Sequence, residues 1–204
     1  MVTGPAQHWD HVYDTVPPDR VSWFQATPET SLRLVREALS SQGSVVDVGA
    51  GTSTLVDGLL ASGFTDLTVV DVSARALAVV QKRVDDRSGR LTLVHADLLD
   101  WQPERTFDVW HDRAVFHFLT SAQARARYVA MAEESVTPGG AVILGTFAPD
   151  GPTRCSGLDV NSYDAGGLAA QLGPTFVLAH HEREEHITPS GAVQPFTWVV
   201  LRRR

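Results

Sequence analysis

The chain has 204 residues, 43% of them hydrophobic, with a formal net charge of −7 and a single cysteine, Cys155. That length suits one α/β domain and is short for two, and the acidic balance argues against a broad nucleic-acid surface, which needs clustered Lys and Arg. One cysteine excludes an intramolecular disulfide framework, the N-terminus lacks the features of a signal peptide, and no apolar run nears the roughly 18 residues that cross a bilayer, so a cytoplasmic protein with no membrane association is expected.

Residues 6–26 are rich in aromatics without a clean period, and Pro17-Pro18 forbids a continuous helix through them. Trp9, Tyr13, Trp23 and Phe24 could roof a cleft or could staple the N-terminus to the core. Thr27-Pro28 reads as a helix start, a hydroxyl cap before Pro at the first helical position. Leu32, Val35 and Leu39 follow at helical spacing, and Gly43 is expected to stop the helix.

Ser44–Val48 reads as a buried strand, because β-branched residues suit a sheet covered on both sides. Gly49 and Gly51 then let the backbone turn close to a ligand. The helix from Thr54 to Ser62-Gly63 aims its first free N–H groups back at that turn. Leu67–Asp71 is a second strand, and Ser73 caps a helix running to about Asp86. Leu91–His95 and Phe107–Asp112 are the third and fourth strands. Thr120 with Gln123 makes a capping box for a helix over 121–136, and Pro138-Gly139-Gly140 turns into a fifth strand, Ala141–Phe147. A long loop from Ala148 to Asn161 and a weak helix to about Leu172 precede the last strands, Thr175–Ala179 and Phe196–Leu201. The alternation predicts an α/β, Rossmann-like, doubly wound sheet with helices on both faces. The last two strands have no helix between them, so the final strand must run antiparallel. One domain over residues 1–204 is expected, with 1–26 as an N-terminal lid and 27–204 as the core.

Asp47, Asp71 and Asp97 close three successive strands, and ligands of open α/β sheets bind beyond such carboxyl ends. Asp71 follows the glycine turn by about twenty residues, where a carboxylate faces ribose hydroxyls. Asp97 lies within reach of an adenine amino group. A dinucleotide fingerprint would place a third glycine at position 54, which is Thr54. Asp47 would sit poorly beside a pyrophosphate and suits an ammonium. Adenine, ribose and an amino acid together describe S-adenosylmethionine.

From residue 44 to about 202 the chain resembles the class I S-adenosylmethionine-dependent methyltransferases of small bacterial type. The resemblance rests on Val-Val-Asp-Val-Gly-Ala-Gly-Thr-Ser at 45–53, Thr-Val-Val-Asp-Val-Ser at 68–73 and Ala-Asp-Leu-Leu at 96–99. Phe-Asp-Val-Trp-His-Asp-Arg-Ala at 107–114 and Thr-Pro-Gly-Gly-Ala-Val-Ile-Leu at 137–144 complete it. Ser53 departs from the glycine often found at its position. The resemblance implies a seven-stranded sheet with an antiparallel last strand. It also implies S-adenosylmethionine contacts at Asp47, Gly49, Ala50, Gly51, Ser53, Asp71, Val72, Ala96, Asp97, Leu98 and His111, with Tyr13 and Trp23 from the N-terminal segment. That segment is similar to those of some small bacterial methyltransferases and of methyltransferase-like protein-lysine enzymes.

Methyl transfer from a sulfonium depends on positioning and water exclusion, and a base helps only where the acceptor arrives protonated. His111 and Asp112, at the end of the fourth strand, are catalytic candidates, and so is His117, although packing beside Phe116 and Phe118 explains the latter more simply. His111-Asp112-Arg113-Ala114 does not resemble the Asn- or Asp-Pro-Pro-aromatic run of enzymes that methylate nucleic-acid amines, so no nucleic-acid acceptor is expected. The loop after the fifth strand and the connection at 184–191 should rim an acceptor pocket, which nominates Arg154, Cys155 and His186 beside Trp9 and Phe24. Adjacent His180 and His181 would point to opposite faces of a strand, so no metal site is expected. The function expected is methylation of a small-molecule acceptor. A protein-lysine methyltransferase and a non-catalytic cofactor-binding partner subunit are the alternatives.

Overall fold

The structure is a computed structural model that describes residues 4–39, 42–84, 86 and 88–204. Strand β1 (Ser44–Val48) is buried along its whole length. Beside it run β2 (Asp66–Asp71) and β4 (Phe107–Arg113), with β3 (Leu91–His95) and β5 (Val136–Phe147) outside them, all parallel. Two long strands, β6 (Phe176–Ile187) and β7 (Val193–Arg203), complete a seven-stranded sheet in the order β3-β2-β1-β4-β5-β7-β6. Strand β7 lies antiparallel to both neighbours, as the missing crossover helix requires. The chain leaves β1 for β2 and β3 on one side and returns to β4 on the other, so the crevice for a ligand opens where β1 meets β4.

Successive strand residues face opposite sides, and each side has its own core. Val45, Val109 and Ile143 pack with helices α2 (Glu29–Ala38) and α3 (Leu55–Ala61) and with α4 (Ala74–Val84). Val46, Trp110 and Val142 pack on the other face with α5 (Ala122–Ser135) and α6 (Ala165–Leu172). Helix α1 (Pro5–Thr15) ends just before Pro17-Pro18.

Several boundaries differ from the sequence reading. Thr27 caps nothing: Pro28 occupies the N-cap of α2 without a side-chain cap, and the helix stops at Ala38 because Leu39 is already extended. The cap of α5 is Ser121, which accepts from the Ala124 amide at 3.1 Å, so the cap lies one residue on from Thr120, and with Ala124 at the third helical position it is a single cap and not a box. Pro138-Gly139-Gly140 is looped out within β5 rather than before it, since pairing steps from Phe107–Val136 to Val109–Ala141. The loop after β5 carries a two-residue ribbon, Arg154–Cys155 against Leu158–Asp159. The last two strands are 12 and 11 residues long and absorb Glu184–Ile187, which the sequence placed in a connection. Their outward-facing charged residues obscured the strand, yet an edge strand needs only one apolar side and charge protects its open edge. The expected end of α4 near Asp86 adjoins residues 85 and 87, which lie outside the described residues, as do residues 1–3 of the N-terminus read for a signal peptide. Among the described residues no helix is long and apolar enough to cross a membrane.

The turn after β1 is held by its geometry. Gly49 has φ +59°, donates to the Val70 carbonyl at 2.7 Å, and an added Cβ would stand 2.2 Å from Val115 Cγ2. Gly49→Ala is therefore expected to cost about 2–4 kcal/mol, combining the left-handed penalty with displacement of a packed valine, read as a lower urea midpoint.

Candidate active site

A cavity of about 630 Å³ opens at the carboxyl ends of β1, β2, β3 and β4. Helix α1 and the strip Val21–Gln25 wall it on one side. Asp10 fastens α1 to the start of α4: its Oδ1 accepts from the Ser73 hydroxyl at 2.6 Å and from the Arg75 amide at 3.3 Å. Ser73 in turn accepts from the Ala76 amide at 3.2 Å, the cap expected from sequence. Trp9 meets Trp23 and Phe118 edge-on, with ring centroids 5.8 and 5.3 Å apart, and Tyr13 meets Trp23 at 6.2 Å. The aromatic residues thus serve as staple and wall at once, and Trp9, Tyr13, Trp23 and Phe24 all line the cavity.

At one end of the cavity the glycine turn and Asp71 form a unit. The Gly51 amide donates to Asp71 Oδ2 and the Ser73 amide to Oδ1, each at 2.7 Å. Burial pushes the Asp71 carboxyl up to about 6, while the two amides pull the other way. A carboxylate has about four acceptor positions, so two remain for a ligand. Gly51 does not itself line the cavity; its Cα is covered by the Tyr13 hydroxyl, which would lie 2.2 Å from an added Cβ. Ala50, Ser53, Val72, Ala96, Asp97 and Leu98 line this end. One Asp97 oxygen accepts from the Leu99 amide at 3.0 Å, leaving the other free for a ligand. Arg83, not singled out in the sequence, binds the Thr52 and Ser53 carbonyls at 3.0 and 2.5 Å and pairs with Asp57, clamping the turn to α4. A turn of small residues and a carboxylate with spare acceptor positions fit a nucleoside with a ribose.

Asp47 and His111 are register partners on β1 and β4, and both are buried. His111 Nδ1 lies 2.7 Å from Asp47 Oδ1, and Nε2 lies 3.0 Å from the hydroxyl of Ser31 on α2. With the proton on Nδ1, the ring donates to Asp47 and accepts from Ser31. All three residues line the cavity. One oxygen of the acid expected to face an ammonium is therefore taken by a histidine. Ser31 gave no signal in the sequence, because its partner is a strand end far along the chain.

Four nominated residues stand elsewhere. Asp112 is fully buried on the opposite face of β4, where it accepts from the Tyr128 hydroxyl at 2.7 Å and from the Val115 amide at 3.0 Å. Alternation along the strand requires this, since His111 points into the cavity. Burial holds the Asp112 carboxyl up at about 6. Tyr128 also accepts from Trp110 Nε1 at 2.8 Å. Tyr128→Phe should therefore strand Trp110 Nε1 and take one bond from Asp112, which keeps the Val115 and Phe116 amides, at a cost of about 1–3 kcal/mol, measured by chemical denaturation. His117 is walled between Phe118 and Phe147 (4.5 and 4.7 Å between centroids), and burial drives its pKa down to about 3, so it stays neutral. Arg154 turns outward to Asp159 at 3.1 Å. His186 is buried outside the cavity, with Nε2 2.7 Å from the Ser22 carbonyl.

Cys155 does line the cavity, and burial raises its thiol to about 11, so it contributes a neutral wall. Arg113, two residues beyond His111, was missed although strand alternation alone places it on the same side. It also lines the cavity. Its Nη1 donates to the Trp23 carbonyl at 2.9 Å and its guanidinium lies 4.8 Å from the centre of the Phe196 ring.

Comparison with known proteins follows this geometry. Residues 45–140 match a family described as a methyltransferase domain. No curated protein matches the chain in sequence. Among solved structures, one concerned with conversion of a disulfide bond into a thioacetal group during echinomycin biosynthesis is similar with a TM-score of 0.80 at 18% identity, covering 98% of this chain and 92% of that one. The N-methyltransferase NodS of Bradyrhizobium japonicum WM9, in complex with S-adenosylhomocysteine, has a TM-score of 0.74 at 17% identity, covering 97% of each chain. The 1,6-didemethyltoxoflavin-N1-methyltransferase of Burkholderia thailandensis has a TM-score of 0.74 at 20% identity, covering 95% of this chain and 83% of that one.

Proposed function

We propose that the chain, a class I S-adenosylmethionine-dependent methyltransferase, methylates a small-molecule nucleophile. The observation that carries this reading is the cavity itself. At about 630 Å³ it falls in the range of small-ligand sites, and donor and acceptor must share it beneath the wall formed by α1 and the Trp23 strip. The 1,6-didemethyltoxoflavin-N1-methyltransferase, similar in fold and described with 1,6-didemethyltoxoflavin bound, supports a small acceptor.

In this reading Asp71 accepts from the ribose hydroxyls, and Asp97 faces the adenine amino group with Ala96 and Leu98 beside the ring. Asp47, fixed by His111, offers its second oxygen to the ammonium of the methionine part. Residues 4–26 act as the lid of a single domain. When bound, the cofactor supplies an electrophilic methyl: the acceptor's lone pair forms the new bond to carbon while the C–S pair stays on sulfur. The protein's share is orientation and exclusion of water by Trp9, Trp23 and Phe118. Where the acceptor carries a proton, His111, which lines the cavity, takes it on Nε2 in exchange for the hydrogen bond from Ser31, while Asp112 and His117 are walled off.

The test is S-adenosylhomocysteine release over panels of oxygen, nitrogen and sulfur nucleophiles, beside transfer of a labelled methyl group to cell extract. Label in the small-molecule fraction is expected. Label confined to protein would replace this reading with protein-lysine methylation, and cofactor binding without any turnover would favour a partner subunit.

A further inference from the structure

We infer that the methyl acceptor is an anion held against Arg113. This deepens, and rests on, the small-molecule reading above. Charge in the cavity is unevenly placed. Asp71 and Asp97 stand at the nucleoside end, and Asp47 is engaged by His111. Among the described residues, Arg113 is the one lining arginine or lysine, and Trp9, Trp23, Phe118 and neutral Cys155 complete the wall around it.

The guanidinium makes no ion pair among the described residues, although Glu184 and Asp47 act on it from further off. Its Nε and Nη2 are shut off from solvent and have no hydrogen-bond partner among the described residues. The carboxylate that acts on it most strongly, Glu184, is committed elsewhere: Oε1 accepts from Gln25 at 2.8 Å and Oε2 from Trp198 at 2.7 Å. Burial works against the charge, bringing the guanidinium down to about 10, which still leaves it a cation at neutral pH. A buried charge left with orphan donors is costly unless something pairs with it. The methyl donor cannot do so through its sulfonium, which is itself positive. An anionic acceptor would offset both charges from the cavity, draw the orphan Nε and Nη2 of the arginine round to donate to it, and rest its apolar body on the aromatic wall. Arg154, the cation the sequence nominated for this role, is turned to solvent. The chemistry is that of a small organic acid, or of a phenol or thiol that binds deprotonated.

The experiment uses the full chain saturated with S-adenosylhomocysteine and probes that differ only in charge: carboxylate, carboxamide and amidine on benzene, pyridine and cyclohexane rings. Binding is followed by calorimetry for the wild type, Arg113→Met and Arg113→Lys. At least one carboxylate is expected to bind about tenfold tighter than its carboxamide, with the amidine weakest. Arg113→Met should erase the preference, Arg113→Lys should keep part of it, and S-adenosylhomocysteine affinity should stay within about twofold in both. No carboxylate preference on any ring would overturn the inference, as would a preference that survives in Arg113→Met. An equal loss of S-adenosylhomocysteine affinity in Arg113→Met would overturn it too, by assigning the arginine to the cofactor's own carboxylate. Should Arg113→Met not fold, Arg113→Lys decides, since a carboxylate preference it leaves untouched contradicts a bidentate role. Methyl transfer to neutral or cationic small molecules alone would defeat the anion and leave the small-molecule reading standing. Label found only in protein would defeat that reading first.

Discussion

Asp71→Ala is expected to weaken S-adenosylmethionine binding by about 1–3 kcal/mol, roughly 5- to 150-fold, measured by calorimetry. The loss has two sources. The carboxylate no longer accepts from the ribose, and the Gly51 amide loses the 2.7 Å bond that holds the turn in shape. Unchanged affinity would sink the ribose assignment. The same residue gives a pH signature. Its carboxyl sits near 6 in the free protein, so cofactor affinity should fall as pH drops from 7 to 5 and should be flat in Asp71→Ala. The contribution of Asp71 and Asp112 to the stability of the free protein should move the other way, against that of His117, whose lowered pKa costs stability as pH falls below the ordinary imidazole range. Asp71 and Asp112 both have raised values near 6, so the folded state holds protons that the unfolded chain has released. Their contribution is fully present below the ordinary carboxylate value of about 4 and is lost as pH rises through about 6. Thermal melts of the free protein between pH 4 and 7, with and without cofactor, separate the two trends.

His111→Leu is expected to have the larger effect on the fold and to remove turnover with it. The substitution leaves Asp47 buried and unpaired and removes the partner of Ser31. Breaking a buried pair from one side costs about 3–5 kcal/mol, and the lower end applies because Asp47 borders the cavity and water can reach it there. The double variant Asp47→Leu/His111→Leu removes both partners, so its stability loss should fall short of the sum of the single losses. Turnover should return in neither. A double-mutant cycle by urea denaturation, paired with product release, checks both statements; additive losses would mean that the histidine and the acid do not act together.

Asp71 and Asp47 also mark where sequence reading ended. The glycine turn, the three strand-end acids and the antiparallel last strand were legible because each is local: a β-branched run, a break in it, and the residue that closes it. Alternation along β4 was legible too, yet Asp112 was nominated with His111 although adjacent strand residues face opposite ways. Applied strictly, that rule would have exchanged Asp112 for Arg113. Ser31 and Arg83 carried no local mark at all. The long β6 was hidden because His180–Glu185 reads as a polar loop until β7 supplies its hydrogen bonds.

The sequence by itself determined the glycine-turn end of the site. Strand, turn and helix are short-range structures whose side-chain chemistry is written in consecutive residues, and parallel topology then aligns their ends on one edge. Only the tertiary structure decided the opposite end, around Arg113. Whether Arg113 or Arg154 faces the cavity, and whether Asp47 meets a histidine, depends on which residues close in from α1, α2 and β7. Buried polar groups take partners by proximity in space, and those partners lie tens of residues away along the chain.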